Sequence, residues 1–156
     1  MTALDELLAQ TIAELQRFIA VIDTERRTLV AGEISQLPAI AEEKSALAAR
    51  LTSLEGQREA ALGAAGFGGG KPAIDAWLGA NPDTTPRSAQ GNWKRYIELA
   101  AQAKRENEIN GKLIAASLQL NQQALGILLA ESGEAGTYGA DGQRKTVSGR
   151  RPLGSA

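Results

Sequence analysis

The sequence predicts an all-α protein: an antiparallel three-helix bundle of the coiled-coil type with a long C-terminal helix. Hydrophobic residues make up 43% of the 156 residues and aromatic residues only 4%. The core must therefore be aliphatic, which suits helix packing better than a β-sandwich. Apolar residues recur at steps of three and four over three long segments. Glycine and proline are concentrated between these segments, as expected for connections between helices.

The first helix is predicted over residues 2–31. Thr2 is placed to cap its N-terminus, with Asp5 three residues later, and Gly32 stands where the pattern stops. Steps of four and three define a line of residues, which we call the seam of the helix. Its members are Leu4, Leu8, Thr11, Leu15, Phe18, Ile22, Glu25 and Leu29. Further apolar residues widen the seam, which predicts more than one partner helix.

The second helix is predicted over residues 34–63. The junction at Gly32 is short, so the first two helices must lie antiparallel. Lys44 and Arg58 fall on the seam of the second helix. Either their aliphatic stems cover the seam while their charged ends reach water, or they set the register, with Lys44 facing Glu25 across the hairpin.

The connection between the second and third long helices is rich in glycine. A short helix is predicted within it, over residues 72–79. The glycines followed by Lys71 resemble a phosphate-binding loop. That motif requires Ser or Thr after the lysine, whereas this chain has Pro72, and no strand pattern flanks the segment. A flexible linker is the better interpretation.

The third long helix is predicted over residues 90–132, and its seam crosses the poor helix formers of the stretch ENEINGKLI without a change of spacing. The seam consists of Trp93, Ile97, Ala100, Lys104, Asn107, Gly111, Ile114, Leu118, Asn121, Leu125 and Leu128. Asn110 lies beside Gly111. A buried Asn fixes register at a cost in stability, and a Gly lets another helix come close. The alternative is a plain kink or a solvated patch.

The lengths of the helices predict an exposed apolar stripe. At about 1.5 Å per residue, the first helix spans roughly 40 Å and the third roughly 60 to 65 Å. If both begin level, the third helix passes the turn at Gly32 near Leu118 and then projects. Its unpartnered residues would be Leu118, Asn121, Leu125, Leu128 and Leu129. Monomers rarely tolerate such a patch, so we expect it to bind a helix of a partner and to be covered by self-association when that partner is absent.

Several functions are excluded by composition. The chain has no His and no Cys, which removes the usual general base, thiol chemistry and zinc ligands. We therefore expect neither an enzyme nor a metal or cofactor. A net charge of −1 gives no steering towards nucleic acid. There is no signal-peptide pattern, and no apolar run approaches about 18 residues, so we expect a cytoplasmic protein that does not insert into membranes.

The bundle is predicted to cover residues 1–132, and residues 133–156 form a tail that cannot bury a core and should be disordered. Tyr138 is the one aromatic residue of this tail. The pattern Asn107-x-x-Asn110-Gly111-x-Leu113-Ile114, followed by Tyr138-Gly139-x-x-Gly142, resembles the FlgN-type flagellar export chaperones. The resemblance extends over most of the chain. The glycine-rich loop and the basic end of the tail depart from the family pattern.

The resemblance implies a cytosolic chaperone of type III export. Such a chaperone holds hook-filament junction proteins by their C-terminal segments, using its own C-terminal half, and delivers them to the cytosolic domain of the export gate. A tail tyrosine contributes to docking on the gate, and Tyr138, with Gly139 and Gly142, is the matching position. From the residues alone, a self-associating structural coiled coil or adaptor without an export role remains the alternative.

Overall fold

The computed structural model describes residues 2–134, which form four α-helices and contain no strand. They are α1 (Ala3–Ala31), α2 (Leu37–Ala64), α3 (Gly70–Ala80) and α4 (Ala89–Glu134), with a 3-10 turn at Ile34–Gln36. The predicted fold class is confirmed. The bounds differ from the expected ones by a few residues: the 3-10 turn takes the first positions assigned to the second helix, and the short helix begins two residues early, at Gly70.

Local hydrogen bonds define both ends of α1. The Thr2 hydroxyl accepts a bond from the Asp5 amide, and the Asp5 carboxylate accepts one from the Thr2 amide, which completes a capping box. At the other end Gly32 has a φ of 73°. Its amide donates to Leu29 and that of Glu33 to Thr28, the Schellman pattern that glycine permits because it lacks a Cβ. The chain therefore reverses directly into α2.

Two apolar clusters form the core. The larger one joins the N-terminal part of α1 to the end of α2, to α3 and to the start of α4; its buried members are Leu4, Leu8, Ile12, Leu62, Ala73, Ile74, Trp77 and Ala89. The smaller one lies between α1 and α2 and consists of Val21, Ile40 and Leu47, with Phe18 packed against it. The short helix α3 thus covers one end of the bundle, and Trp77 is its main contribution to the core.

The connection into α4 passes very close to that helix. Ser88 caps α4, since its hydroxyl accepts a bond from the Gly91 amide at 3.1 Å. A Cβ at Gly91 would lie 2.2 Å from the carbonyl oxygen of Thr85 and 2.9 Å from backbone atoms of Pro86. Only glycine fits here without movement of the backbone.

The position of Arg58 differs from the expectation that its charged end reaches water. Its charged end does not reach water: the residue is only 4% exposed. The guanidinium lies 5.3 Å from the centre of the Trp93 ring and 5.0 Å from that of Tyr96, a cation–π arrangement with α4. Its closest carboxylate contact is Glu55 at 3.8 Å, and Nε and Nη1 have no hydrogen-bond partner in the described chain. Aromatic side chains from another helix, which helical periodicity does not reveal, have buried it.

The chain separates into two compact units, and the division falls within α4. The first unit is Met1–Leu113 and the second begins at Ile114. All the core residues named above belong to the first unit. In the second unit the structure describes residues 114–134, which are helical. The expected division after Ser132 falls at the edge of the described residues and stays a prediction, as does the projection of α4 beyond the turn at Gly32.

Candidate partner-binding site

Asn110 is the most deeply buried polar residue of α4, with 0% exposure. Its side-chain amide donates to the Ile22 carbonyl at 2.7 Å and to Oε1 of Glu25 at 2.8 Å. Its Oδ1 accepts a bond from Nε of Arg26 at 2.9 Å. Both amide hydrogens and the carbonyl oxygen are therefore used, all by groups of α1. Asn110, which the sequence analysis placed beside the seam, thus fixes α4 against α1 in the way expected of a buried asparagine.

The bonds of Asn110 belong to a wider network, which we call the polar clamp. Nζ of Lys44 lies 3.0 and 3.2 Å from the two oxygens of the buried Glu25. Arg26 also donates to the Glu106 carbonyl at 3.1 Å and forms an ion pair with the Glu106 carboxylate. The clamp thus joins all three long helices. Of the two interpretations offered for Lys44, the pairing with Glu25 is the one that the structure supports.

Asn107 and Gly111 play different parts from Asn110. Asn107 is partly buried, and its Oδ1 is buried with no hydrogen-bond partner among residues 2–134. Gly111 is exposed, and a Cβ there would meet nothing within 4 Å in the described chain. Among residues 2–134, therefore, no other helix makes the close approach that was expected at Gly111.

The error at Gly111 comes from the phase of the seam in α4. Tyr96 and Leu99 pack against the core, whereas Ile97, which the sequence placed on the seam, is 49% exposed. The buried face then continues through Ala103 to Asn110. Tyr96 and Ile97 are adjacent apolar residues that fit the helical period equally well. Because the sequence analysis took Ile97 as the buried position, it assigned the following seam positions, as far as Gly111, one residue too late.

The C-terminal part of α4 exposes its apolar side chains. Every residue from Gly111 to Gly133 is exposed. Leu118 is 57% exposed, Leu125 and Leu128 are 59% and Leu129 is 71% exposed. On the other side of the helix, Leu120 and Ile127 are 65% and 61% exposed. Asn121 lies in the same stretch, and Ile114 is 41% exposed. We call Ile114, Leu118, Asn121, Leu125, Leu128 and Leu129 the α4 stripe. Their exposure is as expected from the sequence, and their role in binding stays a prediction.

The stretch of α4 between Lys112 and Glu131 contains no charged residue. By length and composition alone, α4 is long and apolar enough to cross a membrane, and none of its most apolar stretch is buried in the described chain. This corrects the expectation that no such run exists. Polar residues, three of them consecutive in Asn121-Gln122-Gln123, interrupt the run, so that length and composition do not by themselves make α4 a membrane span.

The remaining predictions for the site concern the tail and metal binding. Tyr138, Gly139 and Gly142 lie outside the described residues, so their predicted docking role stays a prediction. Within residues 2–134, no group of three or more His, Cys, Asp or Glu side chains is arranged to hold a metal ion.

Comparison with known proteins places the chain in a family. The sequence matches the family described as FlgN protein over residues 1–146. The chain belongs to the FlgN family. It is 36% identical over 145 residues to the flagella synthesis protein FlgN of Salmonella typhimurium, an alignment that covers 92% of this chain and 91% of that protein. It is 33% identical over 149 residues to the protein of the same name from Escherichia coli K12, with 94% of each chain covered. No solved structure matches it.

Membership of the FlgN family gives the chain a role in flagellar assembly. The resemblance drawn from the sequence motifs is therefore confirmed at the level of the family. Sequence reasoning missed Arg26 and Glu106, which complete the polar clamp. Both lie beside the predicted seams rather than on them, so no periodic signal distinguishes them from ordinary surface charges.

Proposed function

We propose that this FlgN-family protein is a cytosolic export chaperone that binds the C-terminal segments of hook-filament junction proteins through the α4 stripe. The observation that carries the proposal is an exposed, uncharged apolar helix face in a chain of a flagellar assembly family. A solvated face of this kind is costly to maintain, and it suits the apolar side of an amphipathic helix. The junction protein, here called the client, would supply that helix.

The polar clamp supports this proposal by fixing the part of α4 that precedes the stripe in the sequence. Asn110, Glu25 and Lys44 fix three helices at one level of the bundle. A helix anchored in this way loses less conformational freedom on binding, because its backbone is already ordered. Client binding then needs to order only the client segment and the side chains of the stripe.

Co-expression tests the proposal directly. A hook-filament junction protein expressed with the full chain should remain soluble and co-purify with it. The second candidate function, a self-associating structural coiled coil or adaptor, is favoured by the three- and four-residue spacing of the same stripe. That scaffold would co-purify with itself and leave the junction protein insoluble, which would refute the chaperone proposal.

Delivery to the export gate is assigned to the tail. Tyr138 is the single aromatic residue after α4, and an isolated aromatic in a polar segment suits a small docking contact better than a core position. Tyr138→Ala should leave the melting temperature and client affinity unchanged but reduce binding to the cytosolic domain of the gate. Thr137→Ala is the matched control. Loss of folding or of client binding in Tyr138→Ala would contradict this assignment.

A further inference from the structure

The α4 stripe has the chemistry of a surface that pairs with a copy of itself. Its five apolar members are 41 to 71% exposed and present an area on the order of 500 Å², a size at which patches on monomers are usually functional. The absence of charge between Lys112 and Glu131 means that two identical copies brought together there do not repel each other. Charged residues, which most often prevent such contacts, begin only outside this stretch.

The spacing of the stripe specifies how two copies would fit. Ile114, Leu118, Asn121, Leu125 and Leu128 follow one another at steps of four, three, four and three, so they occupy alternating d and a positions of a heptad. Asn121 is a d position at the middle of the series. In a parallel, in-register pair the two copies of Asn121 face each other and can exchange hydrogen bonds. In an antiparallel pair a positions face d positions, and Asn121 would face a leucine.

We propose that, without a client, the α4 stripe pairs with the stripe of a second copy in a parallel, in-register arrangement about a twofold axis, with Asn121 facing Asn121 across that axis. The proposal rests on the proposed function in one respect: client and second copy compete for the same face. Self-association then keeps the stripe covered until a client displaces the second copy.

The size of the stripe makes this association weak. Two faces together bury about 1,000 Å², at or below the lower limit of stable interfaces. A dissociation constant on the order of 10 to 100 μM is therefore expected for the dimer. Because the association is weak, a client that makes more apolar contacts can displace the second copy from the stripe.

Sedimentation velocity of the full chain without client measures the association. Between about 5 and 500 μM the sedimentation coefficient should rise from that of a monomer to that of a dimer. Leu125→Asp should weaken the association more than about a hundredfold, since it buries an unpaired carboxylate. Gln123→Asp, on the opposite side of the helix, should change it by less than about threefold. Asn121→Leu should strengthen it by about tenfold while relaxing the orientation.

Disulfide trapping measures the orientation, because the chain has no cysteine of its own. In the parallel arrangement Leu125→Cys should form a disulfide dimer with itself under mild oxidation, and Gln123→Cys should not. An antiparallel pair would instead trap a mixture of Ile114→Cys and Leu125→Cys chains as a heterodimer. Preferential trapping of that heterodimer would overturn the proposed geometry.

If sedimentation velocity finds a monomer at every concentration, the proposal as a whole is overturned. If that monomer then floats with vesicles of neutral phospholipid, the stripe binds a lipid surface instead. These measurements contain no client, so their failure is distinct from failure of the proposed function. Conversely, a dimer that a junction protein does not dissociate would support the pairing and count against the shared use of the stripe.

Discussion

Asn110 and Asn107 stand three residues apart in α4, yet replacing each by alanine should have very different effects. Asn110→Ala removes three hydrogen bonds of a fully buried side chain, two of them to the charged groups of Glu25 and Arg26. A bond to a charged group contributes about 1.5 to 3 kcal/mol and a neutral one about 1 kcal/mol. Because Glu25 retains Lys44 and Arg26 retains Glu106, the low end of the range for charged groups applies, and a loss of about 4 kcal/mol is expected.

Asn107→Ala is the matched control for this prediction. Its Oδ1 is buried without a hydrogen-bond partner in the described chain, so its removal relieves an unsatisfied group rather than breaking a bond. The free energy of unfolding should change by less than about 1 kcal/mol. Asn107→Leu, which adds apolar contact at the same position, should leave stability unchanged or raise it.

Urea and thermal unfolding of the full chain, followed by the fluorescence of Trp77 and Trp93, measure the difference. Both tryptophans lie in the unit that contains the clamp. A loss of about 4 kcal/mol corresponds to a fall in melting temperature of roughly 15 to 20 °C for a unit of this size. Equal effects of the two alanine variants, or a loss below about 1 kcal/mol for Asn110→Ala, would refute the role assigned to the clamp.

Two other substitutions test the packing around α4. Gly91→Ala places a Cβ 2.2 Å from the Thr85 carbonyl oxygen and should lower the free energy of unfolding by about 1 to 3 kcal/mol. Gly111→Ala adds a Cβ that meets nothing in the described chain and should raise the free energy of unfolding by up to about 1 kcal/mol. Equal effects of the two substitutions in urea titrations would contradict the close approach at Gly91. Arg58→Met removes two buried nitrogens without hydrogen-bond partners in the described chain and retains the apolar stem, so unfolding should show stability unchanged or higher. A loss above about 2 kcal/mol would mean that the contacts with Trp93 and Tyr96 dominate.

Local features were predicted more reliably from the sequence than contacts between helices. The capping box at Thr2 and the turn at Gly32 depend on residues within one turn of each other, and they were placed correctly. The Glu25–Lys44 pair was one of two alternatives, because the spacing along two seams indicates which residues face each other but not whether they bond. Arg58 was misjudged because its burial depends on aromatic residues of another helix.

The candidate site shows the same limit. The exposure of its apolar residues could be predicted, because the third helix was expected to be longer than the first and to lack a partner over its C-terminal part. The clamp could be predicted only in part. Asn110 was expected to be buried, but its partner Arg26 lies off the seam of α1. The one-residue phase error at Ile97 assigned Gly111 a close helix approach that residues 2–134 do not make. Periodicity assigns residues to a helix face with an error of about one residue. Predicting a hydrogen-bond network requires the exact residue at each position.

Binding of the client by the α4 stripe is the central proposal. It is tested most directly by calorimetric titration of the full chain with the C-terminal segment of a hook-filament junction protein. Leu125→Asp and Leu128→Asp change exposed residues, so both variants should keep the helical content and melting temperature of the parent chain. Each should weaken client binding by at least about thirtyfold, equivalent to about 2 kcal/mol, while Gln123→Asp on the opposite side of the helix should bind like the parent. Undiminished binding by folded Leu125→Asp and Leu128→Asp variants would contradict the account and place the client elsewhere on the molecule.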